Sequence, residues 1–322
     1  MALRYDGTAR RSLLAGALAT FAAAVLFAAP AMAGEAAAQQ RFASPQEAVT
    51  ALVTALKDGD DSALLTVLGP DAEDLAFSGD PVADRNGRAR FLEIYAEKNT
   101  IEEAAAGVAV LVIGSSEYPF PIPVVREGDA WRFDVESGRD EILNRRIGRN
   151  ELHTIEVMRA YTAAQREYAC LRQNGGRQEF AQRFASSPGE KDGLYWETGE
   201  GEAPSPFGPL IARAAREGYR GGLDEDPPEA FHGYYFKILK EQGEHAAGGA
   251  FNYVVDGRMV LGFALVAYPA RYEVSGVMTF IVNQEGAIYE QDLGEETGAL
   301  AAAMVSYDPD PTWRRLPTPA TP

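Results

Sequence analysis

The stretch from residue 136 to 172 constrains the fold more than any other. It contains no proline, and Ile142, Ile147, Leu152, Ile155, Met158, Tyr161 and Tyr168 mark one buried side of a helix. The pattern predicts one long helix or a bent pair, separating two segments of different character. Ahead of it, Ser44-Pro45-Gln46-Glu47 opens a helix with a capping serine, a proline at the first helical position and a glutamate three residues after the cap. Ala48, Leu52, Ala55 and Leu56 continue it. A second helix fits residues 62–68 and a third residues 84–98, with Phe91, Ile94 and Tyr95 on one face.

The period then changes. Residues 107–113 form an apolar run, residues 118–125 a run broken by Pro119, Pro121 and Pro123, and residues 130–135 a short alternating one. Glu127-Gly128-Asp129 between the last two is a hairpin turn, so Val124-Val125 should pair antiparallel with the Trp131–Phe133 stretch. Prolines two apart suit a sheet edge. Beyond the long helix, residues 180–184 suggest a further helical turn, and Leu194-Tyr195-Trp196 an apolar latch in a polar loop. A short helix fits residues 209–218. Five strands follow, at residues 232–239, 250–255, 261–269, 276–283 and 288–291, with Asn283-Gln284-Glu285-Gly286 as the plainest hairpin signal. Helices on antiparallel strands give the α+β class. The predicted plan is a leader at 1–33, a lead-in at 34–41, a first module at 42–136, a second at 137–313 and a disordered tail at 314–322.

The leader sets the address. Arg4, Arg10 and Arg11 make a positive n-region, residues 13–29 an apolar core, and Ala31-Met32-Ala33 a small-x-small cleavage site. Cleavage after Ala33 and a periplasmic or secreted destination are expected. Arg10-Arg11-Ser12-Leu13-Leu14 is a partial twin-arginine pattern, so that route and the Sec route both stay open. No other run approaches the ~20 apolar residues of a membrane span, and no cysteine near the cleavage site offers a lipid anchor. Cleavage would remove three arginines and Asp6, taking the net charge from −17 to −19. Such an acid surface repels nucleic acid and anionic headgroups. The one cysteine, Cys170, permits no internal disulfide, and its helical setting suggests a small buried thiol, with a reactive or dimer-linking thiol as the alternative.

Four motifs are specific: residues 144–151 (Asn144-Arg145-Arg146 to Glu151), residues 191–196 (Lys191-Asp192-Gly193 to Trp196), His232-Gly233-Tyr234-Tyr235-Phe236, and residues 276–283. With them the chain resembles an exported bacterial family, a domain of unknown function (DUF 2950), over nearly the whole mature length. The resemblance implies an acidic, calcium-binding loop after the long helix, but here that loop reads Gln173-Asn174-Gly175-Gly176, without a carboxylate before Glu179. The second half is also similar to the globular part of type IV pilin-like proteins, through residues 164–168, 233–236 and 267–286. Its preceding helix is charged and holds Gly148, which argues against filament assembly. The first half is similar to the nuclear-transport-factor-two-like cone, whose members include enzymes and binding modules.

Reaction motifs are missing. Three histidines, His153, His232 and His245, show no ligand spacing, and there is no nucleophile elbow or phosphate loop. No metal or cofactor is expected. His153 reads as a surface or satisfied core residue. The candidates for a ligand or interface are the basic knot Arg145, Arg146 and Arg149, the strand residue His232, and the aromatics Tyr234, Tyr235, Tyr268 and Tyr272. The knot is expected at the meeting of the two modules, on acidic residues of both. Two functions fit: a non-enzymatic envelope module that binds an envelope protein or small ligand, and a small-molecule enzyme using a pocket in the first module. A pocket filled by Phe91, Tyr95 and Trp131 would speak against the enzyme.

Overall fold

Ser44 caps α1 (Pro45–Asp58) as its motif predicts: its hydroxyl accepts from the Glu47 amide, and the Glu47 carboxylate reaches back to the Ala43 amide. The computed structural model describes residues 38–172, 178–220 and 228–317. The leader, the first part of the lead-in, the loop holding Gln173-Asn174-Gly175-Gly176, the acidic loop with Asp224 and Asp226, and the last five residues lie outside the described residues. Asp60 caps α2 (Asp61–Leu68), a single 3₁₀ turn at Pro70–Ala72 leads into α3 (Glu73–Ala76), and Asp80 caps α4 (Pro81–Glu97).

Five strands follow: β1 (Asn99–Ala105), β2 (Val108–Ile113), β3 (Tyr118–Pro119), β4 (Val124–Glu127) and β5 (Ala130–Phe133). They form one antiparallel sheet in the order β1-β2-β4-β5, with β3 beside β4 along β2. The β4–β5 hairpin has the expected register, Val124 opposite Phe133 and Glu127 opposite Ala130. Pro119 sits in β3, which pairs only with β2, so its missing N–H costs no ladder bond. Strand β1 escapes the sequence pattern because six of its seven residues are exposed.

The long helix is a single one. α5 (Val135–Leu171) has 37 residues and is about 55 Å long at 1.5 Å per residue. It serves two hydrophobic cores. Its first turns bury Val135 beside Leu52, Leu111, Val124 and Phe133, with Ile142 and Leu143 half-buried there. Its last turns bury Val157, Met158, Tyr161 and Tyr168 in the other core. Burial of one such side chain stabilises by roughly 1.5–3 kcal/mol.

That second core is closed by α6 (Gly208–Glu217) and by a strand series. β6 (Tyr234–Leu239) is followed by the two-residue strands β7 (Glu241–Gln242), β8 (Phe251–Asn252), β9 (Val254–Val255) and β10 (Arg258–Met259). Then come β11 (Ala264–Pro269), β12 (Met278–Asn283), β13 (Ile288–Asp292), helix α7 (Thr297–Ala303), β14 (Ser306–Tyr307) and β15 (Arg314–Arg315). The main sheet runs β15-β13-β12-β11-β6, all antiparallel. Together the elements make an α+β protein.

Three local expectations fail for physical reasons. Residues 250–255 do not join the meander: the Asn252 side chain accepts from the Val254 amide, a local turn that splits the run into β8 and β9. The fifth strand is instead β15, in the predicted tail, where Arg314 pairs with Glu290 of β13. Residues 180–184 are not helical; Phe180 bridges to Met259, and the buried Gln165 amide group bonds both the N–H and the C=O of Ala181. Among the described residues no helix is long and apolar enough to cross a membrane.

Cys170 is exposed at the end of α5, where a buried thiol was expected. A thiol reagent should therefore label the folded chain to one equivalent without denaturant. Labelling that waits for denaturant would contradict the exposed position.

Candidate functional site at the junction of the two cores

Asp80 is the buried centre of the junction. As the cap of α4, its Oδ1 accepts from the amides of Val82 (3.1 Å) and Ala83 (2.9 Å). Its Oδ2 accepts from the Tyr219 hydroxyl at 2.8 Å and the Gly233 amide at 2.9 Å. Four donors thus fill the acceptor sites of one fully buried carboxylate, which has no cationic partner in direct contact among the described residues. Burial, with the Asp80 charge beside it, pushes the Tyr219 phenol far above its ordinary value. The next residue but one, Val82, is buried in the second core, so the start of α4 belongs to both halves.

The turn that meets Asp80 precedes β6. Phe231 and Tyr234 exchange backbone bonds of 2.9 and 3.2 Å, and the two residues between them, His232 (φ 50°) and Gly233 (φ 76°), both lie in the left-handed region. This is a two-residue hairpin of type I′. Histidine enters that region more readily than most side chains, and glycine is required beside it: a Cβ on Gly233 would stand 2.5 Å from Asn150 Nδ2. The His232 amide donates to the Tyr219 hydroxyl at 3.2 Å. The strand expected from residue 232 therefore starts only at Tyr234.

The His232 ring lies 4.4 Å from the ring of His153 on α5 and 4.4 Å from that of Phe231. Its Nε2 is 2.9 Å from Glu217 Oε2 at the end of α6, without the alignment of a hydrogen bond. His153 Nδ1, His232 Nε2 and Glu217 Oε2 are three of the five buried polar side-chain atoms left without a hydrogen-bond partner among the described residues. Burial draws both imidazoles below the ordinary histidine value. For His232 the neighbouring His153 adds to this, while Glu217 and Asp80 oppose it. The donors do not form a cluster able to hold a metal among the described residues. His153, expected to be satisfied or on the surface, is neither.

The arginines divide. Arg146 donates to the carbonyls of Asp74 (2.7 Å) and Leu75 on α3, and burial pulls its guanidinium below the ordinary value. Arg145 instead pairs with Glu141 on its own helix and lies over the Tyr118 ring at 4.9 Å. Arg149 is exposed and makes no ion pair among the described residues. No arginine of the knot pairs with acids of both halves among the described residues; the contact between the halves comes from Arg271, after β11, which donates to Phe77 O at 2.5 Å and to Asp74 Oδ1 at 2.6 Å in the first half. Arg88 adds a bond to Ala76 O, and Arg139 one to Asp71 O. The last carbonyls of a one-turn helix, which have no partners within it, are thus capped by arginines from both halves.

A family model described as a protein of unknown function, DUF2950, matches residues 39–316. The chain belongs to this family. No curated protein and no solved structure matches it. Asp80, His153, Glu217, Tyr219, His232 and Arg271 all lie within the matched DUF2950 region.

The tyrosine candidates of this DUF2950 chain do not share one face. Tyr234 is fully buried on the α5 side of the sheet, its hydroxyl donating to Met278 O at 2.9 Å, and burial pushes its phenol far up. Tyr235 and Tyr268 are a cross-strand pair on the opposite side, rings 5.5 Å apart. Tyr272 is half-buried beyond β11, near Asp292. His245, the third histidine, is exposed and pairs with Asp308 at 3.0 Å. In the first half, Phe91 packs on Tyr95 (6.2 Å) and Phe120 (5.4 Å), and these rings and Trp131 lie against the core. A polar cleft of about 690 Å³ opens beside Gln39, Asp71, Arg132, Asp134 and Glu136.

Proposed function

We propose that the chain is an exported protein of the cell envelope that works as a non-enzymatic binding or assembly module, its partner an envelope protein or a small ligand. The leader motif supports export. The non-enzymatic part rests on one observation, the packing of the half-buried Phe91, Tyr95, Phe120 and Trp131 rings against the first core where an enzyme of the cone-like type needs a pocket. The antiparallel sheet on the last turns of α5 supports the pilin-like reading of the second half.

The polar cleft favours the second reading, a small-molecule enzyme. Its polar groups, however, bond one another. The Gln39 amide donates to Val67, Leu68 and Phe133 carbonyls, and Arg132 pairs with Glu127 and Asp134. Such groups are structural partners before they are reagents. Arg149, exposed and without an ion pair among the described residues, is the part of the knot best placed to meet a partner. Placing a photo-cross-linking residue there in cells, with fractionation and N-terminal sequencing, tests the reading. A mature chain beginning at Gly34 outside the cytoplasm, carrying a discrete envelope adduct, is expected. An uncleaved cytoplasmic chain, or no adduct at 149 or 145, overturns it.

A further inference from the structure

We propose that His153 and His232 form an acid-sensitive latch, closed while both rings are uncharged and released when both are protonated, freeing the Phe231–Tyr234 turn and the end of α6 from α5. The inference needs neither export nor a partner. It starts from geometry: two rings 4.4 Å apart, on elements far apart in the chain, with one carboxylate within reach.

The surroundings decide what protons do there. From α5 the pair is faced by Arg149 and Glu156, from α6 by Arg213 and Glu217, from the chain just after α6 by the Tyr219 phenol, 5.5 Å from the His232 ring, and from the start of α4 by Asp80. Arg213 is itself engaged, 3.3 Å from Glu217 Oε1 and 3.8 Å from Glu156. Asp80 is occupied by its four donors. Among the described residues Glu217 Oε2 is the carboxylate oxygen beside His232 that has no hydrogen bond, so one proton on His232 finds a counter-charge. A second proton, on His153, has the exposed Glu156 carboxylate facing it, but that group also lies near Arg213, and the proton sets like charges face to face on ring nitrogens that water hardly reaches.

The sign follows from linkage. Both rings bind protons more weakly in the folded chain than in the unfolded one. The stability they contribute is therefore complete above about pH 6.5 and is lost as pH falls toward their lowered values. What gives first is the turn, since it is held to the rest by the His232 and Gly233 amides and by the left-handed backbone already described. The cores carry no such titrating pair.

Hydrogen exchange on the mature full-length chain at about pH 7 and about pH 5, corrected for intrinsic rates, tests the latch. The expected result is a loss of protection at residues 231–234 of at least about tenfold at the lower pH, with residues 278–283 unchanged. In a His153→Gln/His232→Asn variant, where asparagine keeps the left-handed turn accessible, the loss should vanish. Equal loss in both chains, or none in the native chain, overturns the proposal. Should the variant fail to fold, the native imidazoles answer by nuclear magnetic resonance. Both must titrate below His245, whose Asp308 partner raises it. Either one titrating with or above His245 overturns the latch.

Discussion

Replacing Asp80 with alanine should destabilise the chain by about 3–5 kcal/mol, the largest loss expected of any single polar substitution here. Two amides at the start of α4 lose their cap, at about 1 kcal/mol, and a buried amide and a buried phenol lose their acceptor, at about 1–3 kcal/mol each. The sum exceeds the whole because the phenol can turn to another partner. Asp80→Asn separates the two parts. Its carbonyl still caps the helix, but its NH₂ group confronts the Gly233 N–H, which cannot turn away. A loss of roughly 1–3 kcal/mol is expected for asparagine. Urea unfolding measures both; a change below about 1 kcal/mol for alanine would show that Asp80 is not the centre of the junction.

The arginines supply the second large effect. Arg146→Ala and Arg271→Ala each remove a charged donor from carbonyls at the end of α3, at about 1.5–3 kcal/mol per residue, with Arg271 nearer the lower figure because it is more exposed. Arg145→Ala and Arg149→Ala touch neither carbonyl and should stay within about 0.5 kcal/mol. Thermal melting of the four variants tests the division. Equal losses at all four would mean that the knot acts by charge alone and not through α3.

The legible parts of this fold are those whose signals are local. Ser44-Pro45 announces α1, Glu127-Gly128-Asp129 its hairpin, and the apolar positions of α5 its length, although Leu152, read on the buried side, is exposed. Strand β1 was illegible because an exposed edge strand carries no alternation to read. The junction was half legible. Asp80-Pro81 repeats the cap-then-proline signal of Ser44-Pro45, but the apolar face that marks α4 begins later, so the pattern places its start three residues late. No local pattern, however, could bring that carboxylate to Tyr219 and Gly233, 139 and 153 residues away. The same holds for Arg271 reaching Asp74 and for His153 meeting His232. His232 itself stood out only through its Gly233-Tyr234-Tyr235 neighbours, and its role depends on a turn where a strand was expected. Composition gave the basic knot, but packing chose Arg146 from it and left Arg145 and Arg149 outside.

The central claim is that two hydrophobic cores, sharing α5, are coupled through Asp80 and the arginine-capped end of α3. Fluorine-labelled tryptophan reports on it most directly, because Trp131 lies against the first core and Trp196 and Trp313 against the second. Followed through urea unfolding, all three signals should change together in the native chain. In an Asp80→Asn/Arg271→Ala chain, the Trp131 transition should separate from the other two. Separate transitions in the native chain, or a single shared transition in the double variant, would contradict the coupling.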